Sequence, residues 1–313
     1  MTDIMQSEHR VASGRAGLSI MLRNKCTAVG TTPVLFVHGA TYPSTVMFDY
    51  AIGGVSWLDW MARAGFDVWC VDLLGYGAAD RPPEMSIDAS LNAPLVDTEE
   101  AVGDVKRAID YILARRNCAQ IDLLGYSWGS AICGQVAGDV PQTVRRLVLG
   151  GALWLLEDAP QIRTGATLGA YRTVDAEAIE SRWLIGLEEA QKAVVAPSGD
   201  IARWARAAIA SDPQSLQHQP PRLRAPAGVV KDVQTYWMQG QPTYDPGLIR
   251  CPVQIVVGEW DRETSPAQGL QVFDRLRGTS TRRYTVIGAA THSMLLETQR
   301  HQLYDVAATF LAE

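Results

Sequence analysis

Short apolar runs recur along this chain, and each is followed by a polar or glycine-containing turn. Pro33–Val37 (PVLFV), Phe66–Val71 (FDVWCV), Gln120–Gly125, Arg145–Leu149 (RRLVL), Cys251–Val257 (CPVQIVV) and Arg283–Ile287 all have the length of strands. Runs with little polar alternation suit strands covered on both faces. Leu18–Leu22 is a weaker strand candidate. Stretches with apolar residues at helical spacing lie between these runs. Val55–Ala64 is one, closed by Gly65. Asp97–Arg116 is the longest, with Val105, Ala108, Ile109, Ile112 and Leu113 on one stripe. Further helices are expected after Ser127, over Ser265–Leu276 and over Ser293–Leu311. Strand and helix in alternation predict an α/β chain with a mostly parallel central sheet and helices on both faces. In such a sheet ligands sit beyond the carboxyl ends of the strands. That rule singles out His38, Asp72, Ser127, Asp261 and His292, each just after a strand candidate.

One segment breaks the alternation. From about Leu155 to Gly247 no strand pattern is visible, and the apolar residues fall on helical faces. Ile201, Trp204, Ala205, Ala208 and Ile209 share one face. Val229, Val233, Tyr236 and Trp237 share another, with Gly240 as a C-terminal stop. A Pro-rich connection, HQPPRLRAPAG, joins them. The expected organisation is a core of residues 1–154 and 248–313, with a helical cap of residues 155–247 inserted between two strands.

Composition narrows the function classes. The 313 residues are 47% hydrophobic and 20% charged, with net charge −6, and this is ordinary for a soluble globular enzyme. No Lys/Arg block appears; Arg222 and Arg224 are too sparse to form one, so a nucleic-acid partner is not expected. No run approaches the roughly 18 apolar residues of a membrane helix. The N-terminus MTDIMQSEHR carries Asp3 and Glu8 and lacks the apolar stretch of a secretory signal. A cytoplasmic location is therefore expected. Cys26, Cys70, Cys118, Cys133 and Cys251 are scattered, with no CxxC spacing and no His/Cys cluster. They read as reduced, mostly buried thiols, and neither a metal nor an organic cofactor is expected. Monomer and homodimer are both compatible with the sequence.

The chemistry gathers around LLGYSWGS, residues 123–130. Gly125-Tyr126-Ser127-Trp128-Gly129 fits a sharp strand-to-helix turn that lifts a serine hydroxyl above the sheet. Glycines two before and two after the serine relieve crowding in that turn. A hydroxyl becomes a nucleophile only when a base takes its proton. His292 follows the last strand in GAATHSMLLE and occupies the place such a base requires. His9, His218 and His301 do not, and His38 is expected to hold its loop by packing and hydrogen bonding. Asp261, in GEWDRETSP, is the expected acid that orients the imidazole. Glu259 and Glu157 or Asp158 are its competitors. Backbone N–H groups of Ala40 and Trp128 are the expected oxyanion donors, with Thr41 as second choice. The Trp128 indole is expected at the pocket wall. Gly75-Tyr76-Gly77 lacks the third glycine of a dinucleotide fingerprint and is not read as one.

These segments resemble the α/β-hydrolase fold superfamily. HGATYP at 38–43, DLLGYGAADRP at 72–82, GYSWG at 125–129, GEWD at 258–261 and ATHSMLLE at 290–297 carry the resemblance, which spans nearly all of the chain outside the cap. Ala79 departs from it, standing where many members have a structural serine. More narrowly, ATYPSTVMFDY with SWLDWMARAGFDVWCVD is similar to bacterial esterases that include monoalkyl phthalate hydrolases. The resemblance implies a serine esterase acting on a small-molecule ester through an acyl-enzyme. C–C bond hydrolases, lactonases, amidases and perhydrolases with similar triads remain alternatives, as does a non-catalytic binding protein on the same scaffold. Dehalogenases and epoxide hydrolases carry Asp at the position of Ser127 and are disfavoured. Tyr42, Trp154, Trp204 and Trp237 are the expected pocket aromatics. A substrate carboxylate would need one of Arg163, Arg172, Arg182, Arg203 or Arg206 turned inward.

Overall fold

The computed structural model describes residues 3–156, 167–197 and 199–313. Its first two strands, β1 (Met5–Ala12) and β2 (Ser19–Cys26), form an antiparallel hairpin. Next come β3 (Pro33–Val37), the short helices α1 (Ser44–Phe48) and α2 (Trp57–Arg63), and β4 (Asp67–Asp72). Ser56 caps α2 through a reciprocal pairing with Asp59, which explains why that helix starts two residues later than its apolar pattern. The long helix α3 (Thr98–Arg116) is capped by Asp97 and stops at Asn117 in the left-handed conformation. Then follow β5 (Ile121–Tyr126), α4 (Trp128–Asp139) and β6 (Val144–Gly150).

After β6 the chain leaves the sheet. This insertion holds β7 (Tyr171–Val174), α5 (Ala176–Trp183), α6 (Glu189–Val195), α7 (Asp200–Ala210), β8 (Leu223–Pro226) and α8 (Gly228–Thr235). The chain then returns with β9 (Val253–Gly258), α9 (Pro266–Arg275), β10 (Arg282–Ile287) and α10 (Arg300–Ala312).

The eight-stranded sheet runs β1-β2-β4-β3-β5-β6-β9-β10. From β4 to β10 every pairing is parallel, and only the β1–β2–β4 edge is antiparallel. The chain winds one way from β3 to β4 and the other way from β5 to β10. The switch point therefore lies between β3 and β5, where open α/β sheets form their binding crevice. Val34 and Phe36 point to a core shared with α1, α2 and α10. Leu35 and Val37 point to another, shared with α3, α4 and α9.

Three elements differ from the sequence expectation. β1 is a polar edge strand, MQSEHRVA, whose outward residues carry no apolar run. β7 and β8 pair as a two-stranded ribbon inside the segment expected to be free of strands. Their four-residue strands, YRTV and LRAP, have an arginine where alternation would call for an apolar residue. Arg224 is buried there because Asp212 and the Met85 carbonyl accept its N–H groups. The helix expected over Ser293–Leu311 is broken. A 3₁₀ turn covers Met294–Leu296 and α10 starts at Arg300. Between them Glu297 folds back to accept the Thr291 N–H, a local partner that competes with helix continuation.

The turn between β5 and α4 depends on close backbone approach. A Cβ on Gly125 would lie 2.2 Å from the Gly129 carbonyl oxygen. A Cβ on Gly129 would lie 2.2 Å from the Val37 carbonyl oxygen, so this glycine serves contact with β3 rather than with Gly125. Gly138, at the far end of α4, would meet only the Leu248 side chain at 3.4 Å. Gly129→Ala should therefore cost about 1–3 kcal/mol. Gly138→Ala should be neutral or stabilising by up to about 1 kcal/mol. Urea denaturation midpoints of the two variants test the contrast.

Candidate active site

Ser127 caps α4 with φ 57° and ψ −121°, in the left-handed half of backbone space. Its N–H donates to the Gly150 carbonyl (2.8 Å), which pins the turn to β6. Ser130 Oγ donates to the Ser127 carbonyl and accepts the Leu153 N–H (2.8 Å), pinning it again. The hydroxyl Oγ lies 2.9 Å from His292 Nε2.

Parallel pairing of β9 and β10 places Ile287 beside Gly258, so the loops beyond them meet. His292 Nδ1 lies 2.8 Å from Asp261 Oδ2. The other Asp261 oxygen accepts the Glu263 and Thr264 N–H groups, both at 2.8 Å, and Thr264 Oγ1 donates to Oδ2 at 3.0 Å. A carboxylate with all its lone pairs engaged is held in one orientation. With Asp261 accepting from Nδ1, the neutral imidazole leaves Nε2 free to accept the Ser127 proton. The structure thus brings Ser127, His292 and Asp261 into one hydrogen-bonded row. Glu259 is not part of it; its carboxylate accepts the Ala289 N–H on the surface. Glu157, Asp158 and Arg163 lie outside the described residues.

The loop after β3 presses on the same serine. A Cβ on Gly39 would lie 2.9 Å from Ser127 Cβ. Ala40 and Trp128 both line the space at Ser127, and neither backbone N–H has a hydrogen-bond partner among the described residues. Two free amides converging beside a nucleophile can receive a developing oxyanion. Thr41 is turned to another task. At φ 84° it is strained for a β-branched residue. Its Oγ1 accepts Arg172 at 2.5 Å and is 3.4 Å from an Arg182 nitrogen.

His38 is buried and braces the loop. Its Nδ1 donates to the Gly39 carbonyl (2.7 Å), and Nε2 accepts the Leu73 N–H (3.2 Å). Burial lowers its pKa, and the neutral ring acts as a strut. Asp72 likewise faces away from the site, accepting from the Ser44 N–H and hydroxyl and from the Ala78 N–H. A Cβ on Gly77 would touch its carboxylate, so Gly75-Tyr76-Gly77 is a turn wrapped around Asp72.

Two spaces meet at Ser127. A small slot is lined by Tyr42, Trp183, Trp204, His292 and Leu296. A larger cavity of about 530 Å³ is lined by Trp128, Leu153, Arg172, Val229 and Trp237. Tyr42 and Trp204 meet edge to face, 4.7 Å between centroids. Trp237 lines the larger cavity. Trp154 reaches neither space: its indole donates to the Tyr244 carbonyl (3.0 Å) and lies under Arg275, so it packs rather than lines. The Trp128 indole borders the larger cavity but is tied by its N–H to Thr98 Oγ1 (2.9 Å), which in turn donates to Asp232 of α8.

Arg172 and Arg182 are the two inward arginines. Arg182 is paired with Glu263. Arg172 has no acidic partner among the described residues, and its Nε is sealed from solvent without a hydrogen-bond acceptor. Arg203 pairs with Asp200, and Arg206 borders a surface groove. Glu263, Thr264 and Glu297 were not singled out from the sequence. Glu297 is buried. It accepts from Thr291 and from the Trp183 indole (2.8 Å), so it braces the loop that carries His292. Its position six residues after Thr291, inside ATHSMLLE, is the only local signal. No group of three or more His, Cys, Asp or Glu side chains among the described residues could hold a metal ion.

Burial disfavours a charged imidazole at His292, but Asp261 and Glu263 outweigh it and raise its pKa to about 9. A general base works only when neutral, and the neutral fraction grows as pH rises through that value. If His292 is the base, kcat/KM for an uncharged ester should climb about tenfold per pH unit between pH 6 and 8 and level only above about 9. A profile already flat at pH 7 would contradict this charge balance.

Residues 32–299 match the family model described as alpha/beta hydrolase fold. No curated protein matches the chain. Solved structures with the same fold include a 2-hydroxy-6-oxo-6-phenylhexa-2,4-dienoate hydrolase from Rhodococcus sp. strain RHA1, at TM-score 0.65 and 16% identity over 99% of this chain and 100% of that one. A serine hydrolase involved in carbazole degradation is similar at TM-score 0.63 and 17% identity, covering 98% and 99%. An esterase from Thermogutta terrifontis is similar at TM-score 0.60 and 16% identity, covering 98% of each.

Proposed function

The chain belongs to the α/β-hydrolase family, and on that premise we propose that it is a serine hydrolase cleaving a carboxylic ester through an acyl-enzyme. The observation that carries this reading is the row Ser127 Oγ–His292 Nε2–Asp261, with distances of 2.9 and 2.8 Å. Ser127 Oγ bonds to the ester carbonyl carbon while its proton passes to His292 Nε2. The carbonyl oxygen gains the electron pair and is met by the Ala40 and Trp128 N–H groups. The tetrahedral centre collapses, the C–O bond to the alcohol breaks, and His292 returns the proton to the leaving oxygen. Water then repeats the sequence on the acyl-enzyme. His292 borders the small slot, which suits the departing alcohol; the larger cavity beside Trp128 suits the acyl group.

A finer reading concerns the acyl group. Arg172 borders the larger cavity and makes no ion pair among the described residues, and a buried charge is costly unless paired. A carboxylate on the substrate, as in a monoalkyl phthalate, would pair it. This favours half-esters of aromatic diacids.

Ser127→Ala should lower the hydrolysis of p-nitrophenyl esters by about 10⁴-fold or more and abolish the burst. Retained turnover would refute the nucleophile assignment. Against a panel of esters, lactones and amides, esters should be cleaved fastest. Arg172→Met should reduce kcat/KM for an aromatic half-ester about ten- to a hundredfold and leave the neutral diester little changed. Equal kcat/KM for half-ester and diester in the unaltered protein would refute the carboxylate preference.

A further inference from the structure

Asp261 accounts for the Nδ1 side of His292. A second carboxylate reaches the Nε2 side: Glu263 Oε2 lies 3.8 Å from Nε2, the nitrogen that faces Ser127. The turn that seats Asp261 also delivers Glu263, because the Glu263 N–H donates to Asp261 Oδ1 at 2.8 Å. That charge is shared. Arg182, on α5 of the insertion, donates Nε–H to Oε1 at 2.7 Å and a second N–H to Oε2. The Glu263 side chain is only 10% exposed.

We propose that Glu263 and Arg182 form a charge clamp on His292, with Glu263 favouring the imidazolium and Arg182 opposing it, so that the insertion sets the pH range over which the base works. Both are positioning residues. The proposal rests on His292 being the base, but the clamp itself is measurable without turnover. When Ser127 gives up its proton, Nε2 carries it and the ring becomes cationic. A carboxylate 3.8 Å away lowers the energy of that state. The same carboxylate also favours the protonated resting ring, and Arg182 limits this by sharing the anion, one of its N–H groups reaching Oε2 itself.

The other groups around the ring do not duplicate the pair. Asp261 and Thr264 engage Nδ1 from the loop after β9. Tyr126, from β5, stands 5.8 Å away and donates its hydroxyl to the His292 carbonyl. Arg172, from β7, is anchored on Thr41, and Glu297 faces Thr291 and Trp183. The directions of shift agree with this geometry. Burial disfavours the Glu263 anion, yet Arg182 and His292 hold it at about 2. For His292, Asp261 and Glu263 raise the pKa and Arg182 lowers it.

The test is the NMR titration of the His292 Cε1–H resonance in the intact protein, assigned by His292→Gln. Glu263→Gln should move the midpoint down by about one pH unit or more. Arg182→Gln should move it up, and the double variant should fall between them. Arg182→Lys, which keeps the charge but not the fork, should stay closer to the unaltered protein than Arg182→Gln does. The acid limb of kcat/KM for p-nitrophenyl acetate, an uncharged ester, should shift in the same directions. Movement of both single variants in one direction, or no movement in either, would overturn the clamp. Should Glu263→Gln not fold, the order of Arg182→Gln above Arg182→Lys decides; a downward or absent shift in Arg182→Gln overturns it. A resonance that moves as expected in a protein without esterase activity would sustain the clamp while rejecting the proposed function.

Discussion

The constraint on which the site depends is the pressing of β3 against the turn that follows β5. The two strands are neighbours at the switch point of the sheet, with Val37 in register with Gly125. Three backbones converge there, and Gly39, Gly125 and Gly129 each stand where a Cβ would overlap a neighbour. The convergence has two results. It forces Ser127 into a conformation that lifts its side chain off the sheet, and it brings the amides of two loops to that side chain. The position of the hydroxyl is thus a consequence of strand order and glycine placement, fixed before any base is considered. His292 and Asp261 arrive by the same logic, from the ends of the paired strands β9 and β10.

Around that row the protein accumulates charge in a largely apolar setting. Asp261 and Glu263 stand against His292, Arg172 and Arg182. Groups so close, and so poorly screened, act strongly on one another's charge. The strained Thr41 belongs to the same set, because its hydroxyl is the shared acceptor for the two arginines. Loop strain, arginine placement and base strength are therefore parts of one electrostatic arrangement.

The legible parts of this protein are those written locally. Unbroken apolar runs mark the central strands, and GYSWG marks the turn through its own steric demand. Asp261 and His292 could be read from strand order, because the strands that carry them are legible. Glu263 could not: it is one of several acidic residues after β9, and only the fold of the turn shows that it faces the ring. The sequence offers eight arginines between β6 and β9 and no means of choosing among them. Arg172 points inward because β7 pairs with β8, and that ribbon is too short and polar to show a strand pattern. Trp154 illustrates the converse, an aromatic next to the site in sequence whose side chain packs under Arg275. The early end of the Ser293–Leu311 pattern was invisible for a similar reason, since Glu297 turns back on Thr291 only in three dimensions.

The Trp128–Thr98–Asp232 chain has a consequence for traffic. It rivets α8 to the helix that starts beside Ser127. The Trp183–Glu297, Arg182–Glu263 and Trp204–Val46 bonds rivet the other half of the insertion to the core. Raising the whole insertion like a hinged lid would break all of these contacts at once, each worth about 0.5–3 kcal/mol. Yielding at one margin breaks fewer of them, so the contacts favour local opening over lifting the insertion as a unit.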